Sequence, residues 1–301
     1  MSSSFTLKID ANEQAVIRAF FQQHDFEFDD VAHAFWRALG PDIRATFYRS
    51  GKLLLQGKEA SAWRGLLSDV SSSAIPYAAA LARHPRPNPN VWGGTDEAGK
   101  GDYFGPLVVA GVAVKRSDLP LLFELGIDDS KALSDARIKQ MDGSIRKLCE
   151  HQILMIGPEK YNQLYSKIGN LNRLLAWAHA KVIENLINDA ASTPEWFLID
   201  RFANEGTMKR ALSRIEPSPN YDQWPKAESD PAVGAASVLA RAAFLRGIGA
   251  LSRRFDVKLP LGGGASTLSS GRQIIELHGR SALGQVAKLH FANTGKIDAS
   301  I

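Results

Sequence analysis

Apolar and polar positions follow one pattern before residue 84 of this chain and another after residue 92. FTLKI (5–9) alternates with period two, as a strand with one buried face does. NEQAVIRAFFQQH (12–24) places Val16, Phe20 and Phe21 at helical spacing, and RATFYRSGKLLLQGKEASAWRGLL (44–67) reads as strand, Ser-Gly turn, strand and helix. These segments predict a small α+β unit with an antiparallel sheet over residues 1–83. In ARHPRPNPNVW, Pro85, Pro87 and Pro89 recur at every second position. They remove backbone donors and favour extended backbone, so residues 84–92 are expected to form a linker of limited flexibility.

From residue 93 the pattern changes. PLVVAGVAV (106–114) is a continuous apolar run of the kind found in a fully buried strand, and HQILMIG (151–157) reads as another strand. In residues 170–190, Leu171, Leu174, Leu175, Ala178, Val182 and Leu186 form a helical stripe. WFLID (196–200) is a short apolar strand ending in an acid, and DPAVGAASVLARAAFLRGI (230–248) is a helix rich in small residues. Paired strands followed by strands alternating with helices predict an α/β fold, a mixed sheet with helices on its faces, over residues 93–301.

Composition narrows the classes. Hydrophobic residues make up 45% and charged residues 23% of 301, ordinary values for a globular protein with a real core. The single cysteine, Cys149, excludes an internal disulfide, suits a reducing compartment and reads as a packed thiol. No run approaches the roughly 18 apolar residues a bilayer span needs, and MSSSFTLKIDANEQ lacks a secretory layout. A cytoplasmic protein with no membrane association is expected, with a monomer as the default. Net charge is +4, with nine basic and nine acidic residues in 1–85 but nine basic against three acidic from Arg241 onward. That asymmetry fits either a polyanionic partner or a solvated face.

The candidate chemistry centres on GGTDEAGKGDYFGPLVV (93–109). Its glycine spacing is wrong for a dinucleotide fingerprint, a strand rather than a helix follows, and it lacks the GK[ST] ending of a Walker loop. Asp96 and Glu97 are adjacent, so on a strand they point to opposite faces and cannot bind one ion equivalently. Further acids must then arrive from elsewhere. Asp200 ends WFLID, and Glu228 and Asp230 lie before the small-residue helix. Clustered carboxylates repel unless cations are bound, and oxygen ligands without a Cys or His cluster favour Mg²⁺ or Mn²⁺ over Zn²⁺. An acid at a strand end also serves as a cap or turn residue, and spacing alone leaves both readings open. In the first unit, Arg49, Lys52 and Lys58 lie beside Tyr48 and Gln56, suited to phosphates and sugars or to an ordinary solvated face.

DEAGKGDYFGPLVVAGV (96–112) resembles the signature of type 2 ribonucleases H, and Lys100 resembles the ribonuclease HIII group, since the HII group usually has arginine there. DDSKALSDARI (128–138), FLIDRFA (197–203), KAESDPAVGAASVLAR (226–241) and AKLHFANTGKI (287–297) agree in order. TFYRSGKLLLQGKEAS (46–61) is similar to the TBP-like substrate-binding domain of HIII enzymes.

The resemblance implies an RNase H-like catalytic domain and endonucleolytic cleavage of RNA in RNA–DNA hybrids. It implies two metal ions held by Asp96, Glu97, Asp200 and Glu228, and products with 5′-phosphate and 3′-hydroxyl ends. Glu228 matches the family's KAE, and Asp230 is the competing fourth acid. Gly99, Lys100 and Gly101 match the segment that approaches ribose 2′-hydroxyls, and Lys131 matches a phosphate contact. Tyr48, Ser50, Lys52, Gln56 and Lys58 fall in the matching substrate-binding segment. Lys100 and the N-terminal unit argue against an HII-like enzyme that nicks at single ribonucleotides, and retention of the acids argues against a non-catalytic hybrid-binding protein.

Overall fold

A computed structural model describes residues 3–9, 11, 14–64, 67, 90–127 and 134–299. The chain divides into two compact units, Met1–Asn88 and Pro89–Ile301. Most of the expected linker lies outside the described residues, but Val91 and Trp92, assigned to it from sequence, open a strand instead. Trp92 is wholly buried, which fixes that end of the sheet to the core.

In the first unit, strands β1 (Ser3–Lys8), β2 (Glu27–Asp29), β3 (Ala34–Leu39), β4 (Ile43–Tyr48) and β5 (Lys52–Gly57) form an antiparallel sheet in the order β1-β5-β4-β3-β2. Helix α1 (Gln14–Gln23) buries Ile17 and Phe21, one turn apart, in a core that contains Trp36, Phe47, Leu53 and Leu55. Trp36 and Phe47 stack at 5.6 Å, and the Trp36 indole N–H donates to the Gln14 carbonyl at 3.0 Å. Alternate residues of β4 and β5 point away from this core. The helix on an antiparallel sheet matches the α+β expectation, but β2 and β3 were not legible from the sequence.

The second unit is built on a five-stranded sheet in the order β10-β9-β6-β7-β8. Its strands are β6 (Val91–Ala98), β7 (Leu107–Lys115), β8 (Glu150–Ile156), β9 (Phe197–Asp200) and β10 (Tyr221–Trp224). β6–β7 and β7–β8 pair antiparallel, whereas β6–β9 and β9–β10 pair parallel, so the sheet is mixed as expected. Every residue of β7 except the last is buried, because helices cover both faces. On one face α4 (Leu171–Asp189) packs against the sheet through the expected apolar stripe; α2 (Asp135–Leu148) and α3 (Pro158–Ile168) precede it. On the other lies α6 (Pro231–Arg254), after α5 (Glu205–Leu212).

Glycines set how closely these layers approach. A Cβ on Gly94 would lie 2.3 Å from the Ala232 backbone, and one on Gly111 would lie 2.5 Å from Val182. Helix α6 is long and apolar enough to cross a membrane by length and composition alone, yet 67% of its most apolar window is buried inside the fold. It is the central packing element of this unit.

Candidate active site

Three pieces of chain meet at one end of the mixed sheet. In the parallel β6–β9 pair, Gly93, Gly94 and Thr95 register with Phe197, Leu198 and Ile199. One step further in each chain come Asp96 and Asp200, at the carboxyl ends where open α/β sheets place functional groups. The third piece is the 3₁₀ turn Ala227–Ser229, which follows β10 through Lys226 in a left-handed conformation (φ 58°). The Ala227 amide donates to Asp200 Oδ1 at 2.9 Å and ties the turn carrying Glu228 to the end of β9.

Asp96 and Glu97 do face opposite sides of the sheet, as strand alternation requires. Asp96 lies toward α6, where Ser237 hydrogen-bonds to it, and its Oδ1 also accepts the Glu97 amide at 2.7 Å. Burial, together with the charges of Glu97 and Asp200, pushes the Asp96 carboxyl well above its ordinary range, to about 7. Glu97 turns toward α4. Its Oε2 meets His179 Nε2 at 3.3 Å and its Oε1 accepts from Lys100 Nζ at 3.3 Å. Burial alone would raise its pKa, but the His179 hydrogen bond and the charge and hydrogen bond of Lys100 outweigh that and lower it.

His179 was not singled out from the sequence, although a histidine inside the apolar stripe of α4 is itself a signal. It is wholly buried, its Nδ1 sits 2.8 Å from the Thr95 hydroxyl, and its ring stacks on Phe202 at 4.7 Å. With Nε2 donating to Glu97, Nδ1 accepts the Thr95 hydroxyl, so one tautomer satisfies both contacts.

The competing acid Asp230 is placed differently. It is buried, its Oδ1 accepts the Ala232 and Val233 amides at 2.8 and 3.2 Å, and both oxygens lie 3.2 Å from the Trp92 indole nitrogen. It is the N-cap of α6.

The glycines of GKG differ in what demands them. Gly99 has φ +86°, and a Cβ there would lie 2.3 Å from the Pro106 carbonyl, so the fold itself requires it. Gly101 has no atom within 4 Å of such a Cβ, so packing leaves space beside it. Lys131 lies outside the described residues. In the first unit, Tyr48, Lys52 and Gln56 share the sheet face opposite α1, with Tyr48 opposite Lys52 in register. Ser50 sits in the hairpin turn, and Lys58 lies beyond β5, 3.5 Å from Asp42. Arg44 and Thr46 join the same face but were not singled out from the sequence. Cys149 is buried and burial pushes its thiol up to about 12, as befits a packed residue.

Among the described residues, no three His, Cys, Asp or Glu side chains stand close enough to chelate a metal ion as they are. The donors still fit a hard divalent cation. Asp96, Glu97 and Asp200 offer only oxygen, and the burial and neighbouring negative charge that raise the Asp96 carboxyl are what a cation would offset.

The ribonuclease HII family model matches residues 93–294. Ribonuclease HIII of Protochlamydia amoebophila is 37% identical over 90% of this chain and 88% of its own. Ribonuclease HIII of Chlamydia pneumoniae is 36% identical over 99% of each chain. The crystal structure of Bst-RNase HIII in complex with Mn²⁺ superposes with a TM-score of 0.70 at 31% identity, covering 99% of both chains. With its signature spread over the ends of β6 and β9 and the turn before α6, the chain belongs to the type 2 ribonuclease H family, in the ribonuclease HIII group.

Proposed function

We propose that this ribonuclease H cuts the RNA strand of RNA–DNA hybrids internally, leaving 5′-phosphate and 3′-hydroxyl ends, with Asp96, Glu97, Asp200 and Glu228 as its metal-holding carboxylates. The carrying observation is the meeting of β6, β9 and the Ala227–Ser229 turn at one sheet end. The four acids would hold two divalent ions, Mg²⁺ or Mn²⁺, and the Mn²⁺ in the Bst relative supports that cation class. When bound, such ions activate water and offset the charge on the phosphate and the departing 3′-oxygen. The protein's share is positional: Thr95, His179 and Lys100 hold Glu97 ionised and oriented, while Ser237 and the Glu97 amide orient Asp96.

Substrate choice falls to the loop Gly99–Gly105, whose Gly99, Lys100 and Gly101 would meet ribose 2′-hydroxyls, the group that separates RNA from DNA. Lys131 is taken as a phosphate contact. The division into a substrate-gripping first unit and a catalytic second unit completes the reading, for a cytoplasmic monomer. The direct test is cleavage of three duplexes in Mg²⁺ and in Mn²⁺: a uniform hybrid, DNA with one embedded ribonucleotide, and DNA. Efficient cutting of the hybrid alone is expected, and equal nicking at the single ribonucleotide would overturn the specificity assigned.

The Asp96 carboxyl makes metal binding pH-dependent. A cation must displace the proton held up to about 7, so Mn²⁺ affinity is expected to rise about tenfold per pH unit below 7 and level off above it. Without metal, the sign for stability is opposite. The folded pKa exceeds the unfolded value near 4, so this group's stabilisation is full below about 4 and lost as pH rises through 7. Titration calorimetry and thermal melts between pH 5.5 and 8.5 measure both; flat Mn²⁺ affinity across that range would contradict the assignment.

The exposed face of the first unit contributes affinity through phosphate and sugar contacts. Replacing Tyr48, Lys52 and Gln56 together by alanine is expected to weaken hybrid binding about tenfold at low salt. The salt slope should fall by about one for the lost lysine contact, and kcat at saturation should hold. An unchanged affinity at every salt concentration would remove that role.

A further inference from the structure

Lys288 is the one lysine among the described residues with no exposed surface. From the sequence it belongs with the basic C-terminal excess, yet it faces no solvent and makes no ion pair among the described residues. A buried lysine needs its donors satisfied. Here three carbonyls of a single loop do so: Asp102 O at 2.8 Å, Gly105 O at 2.8 Å and Phe104 O at 3.4 Å. The Tyr161 ring lies 5.8 Å from the nitrogen. An ammonium has three N–H donors, so the set is complete. Burial pushes the amine down to about 7, with the Asp102 charge opposing that fall.

The loop so gathered is the continuation of the Asp96–Glu97 strand. Backbone bonds flank the amine on both sides: Lys288 N donates to Tyr103 O and Gly105 N to Val286 O, each at 2.9 Å, and Phe104 bridges Ala287. Asp102 Oδ1 accepts the Gly262 amide at 2.7 Å, and Tyr103 OH lies 3.1 Å from the Thr294 hydroxyl. The inner edge of the loop is therefore saturated. Its outer edge is not: among the described residues the amides of Lys100 and Gly101 have no partner, and space is open beside Gly101.

We propose that Lys288 is a specificity-determining positioning residue, which anchors the far end of the Gly99–Gly105 loop through three carbonyls so that the unpartnered Lys100 and Gly101 amides are held in place to meet the ribose of the RNA strand. This rests on the reading of that loop as the ribose-contacting segment. Removing the amine alone, in Lys288→Met, keeps the apolar stem but leaves three carbonyls without a donor, so the loop relaxes. Lys288→Gln restores part of the donor set and serves as the conservative variant.

The experiment uses the full-length protein. It measures melting temperature, KM and kcat on a uniform hybrid, and the ratio of affinities for hybrid over DNA duplex without divalent metal. Folded Lys288→Met is expected to raise KM at least tenfold with kcat within threefold, and to lower the affinity ratio at least tenfold, with Lys288→Gln intermediate. Variants that melt earlier but keep wild-type KM and affinity ratio would show a structural lysine only and overturn the proposal. Gly101→Ala, opposed by no protein atom within 4 Å, tests the loop reading separately. If it leaves the affinity ratio unchanged, the ribose reading fails; if it lowers the ratio and Lys288→Met does not, only the role of Lys288 fails.

Discussion

Asp96→Asn is expected to lower kcat on a uniform hybrid by about a thousandfold or more while hybrid affinity stays within about twofold. The substitution is isosteric. An amide oxygen still accepts the Glu97 N–H, and the Ser237 hydroxyl can donate to that oxygen or accept from the amide nitrogen, so the β6 end keeps its shape. What disappears is the negative charge of a buried carboxylate that feels the charges of both Glu97 and Asp200. On the proposed reading, binding draws on phosphate and ribose contacts elsewhere, which asparagine does not touch. A second readout separates this from simple damage. Because the wild-type carboxyl is ionised only at a cost above pH 7, the metal-free variant should melt higher than wild type at pH 8 and nearly level with it at pH 5. Wild-type-like cleavage by the purified variant in Mg²⁺ would end the assignment; a lowered melting temperature at pH 8 would count against the electrostatic account.

The pair Asp96–Glu97 also shows where sequence reading is strong. Strand alternation alone places the two acids on opposite faces, and the structure puts one against Ser237 of α6 and the other against His179 of α4. Asp200 is legible for a similar reason, since it closes a short apolar strand. β7 is legible because both of its faces are covered and its residues need no alternation.

Other features leave no local trace. AFWRAL in β3 has the composition of a helix, and only its pairing with β4 makes it a strand, burying Ala34, Trp36 and Ala38. β10, YDQW, is an edge strand without an apolar run. Gly93 looks like part of a flexible loop, yet a Cβ there would lie 2.2 Å from the Phe197 ring, so it serves packing between neighbouring strands. The Thr95–His179–Glu97 chain joins positions 82 and 84 residues apart, a separation no motif spacing encodes. Lys288 reads as one more basic residue until its burial is known.

On the proposed reading, Glu228 serves the chemistry and Asp230 the folding, two residues apart. Glu228→Gln is expected to lower kcat by roughly a hundredfold or more with little change in melting temperature, because the residue sits on a partly exposed 3₁₀ turn whose tie to Asp200 is the Ala227 amide. Asp230→Ala should do the reverse. It removes the N-cap of a 24-residue helix and strips a hydrogen-bond acceptor from the buried Trp92 indole in one step. Losing a cap and leaving buried donors unpaired costs about 3 kcal/mol together, which in a unit of this size lowers the melting temperature by roughly 10 °C. Asp230→Asn keeps an oxygen for the helix amides and should fall between. Thermal melts alongside kcat per folded molecule distinguish the two residues. If Asp230→Asn melted like wild type but lost turnover, while Glu228→Gln retained it, Asp230 would be the fourth acid and Glu228 a turn residue.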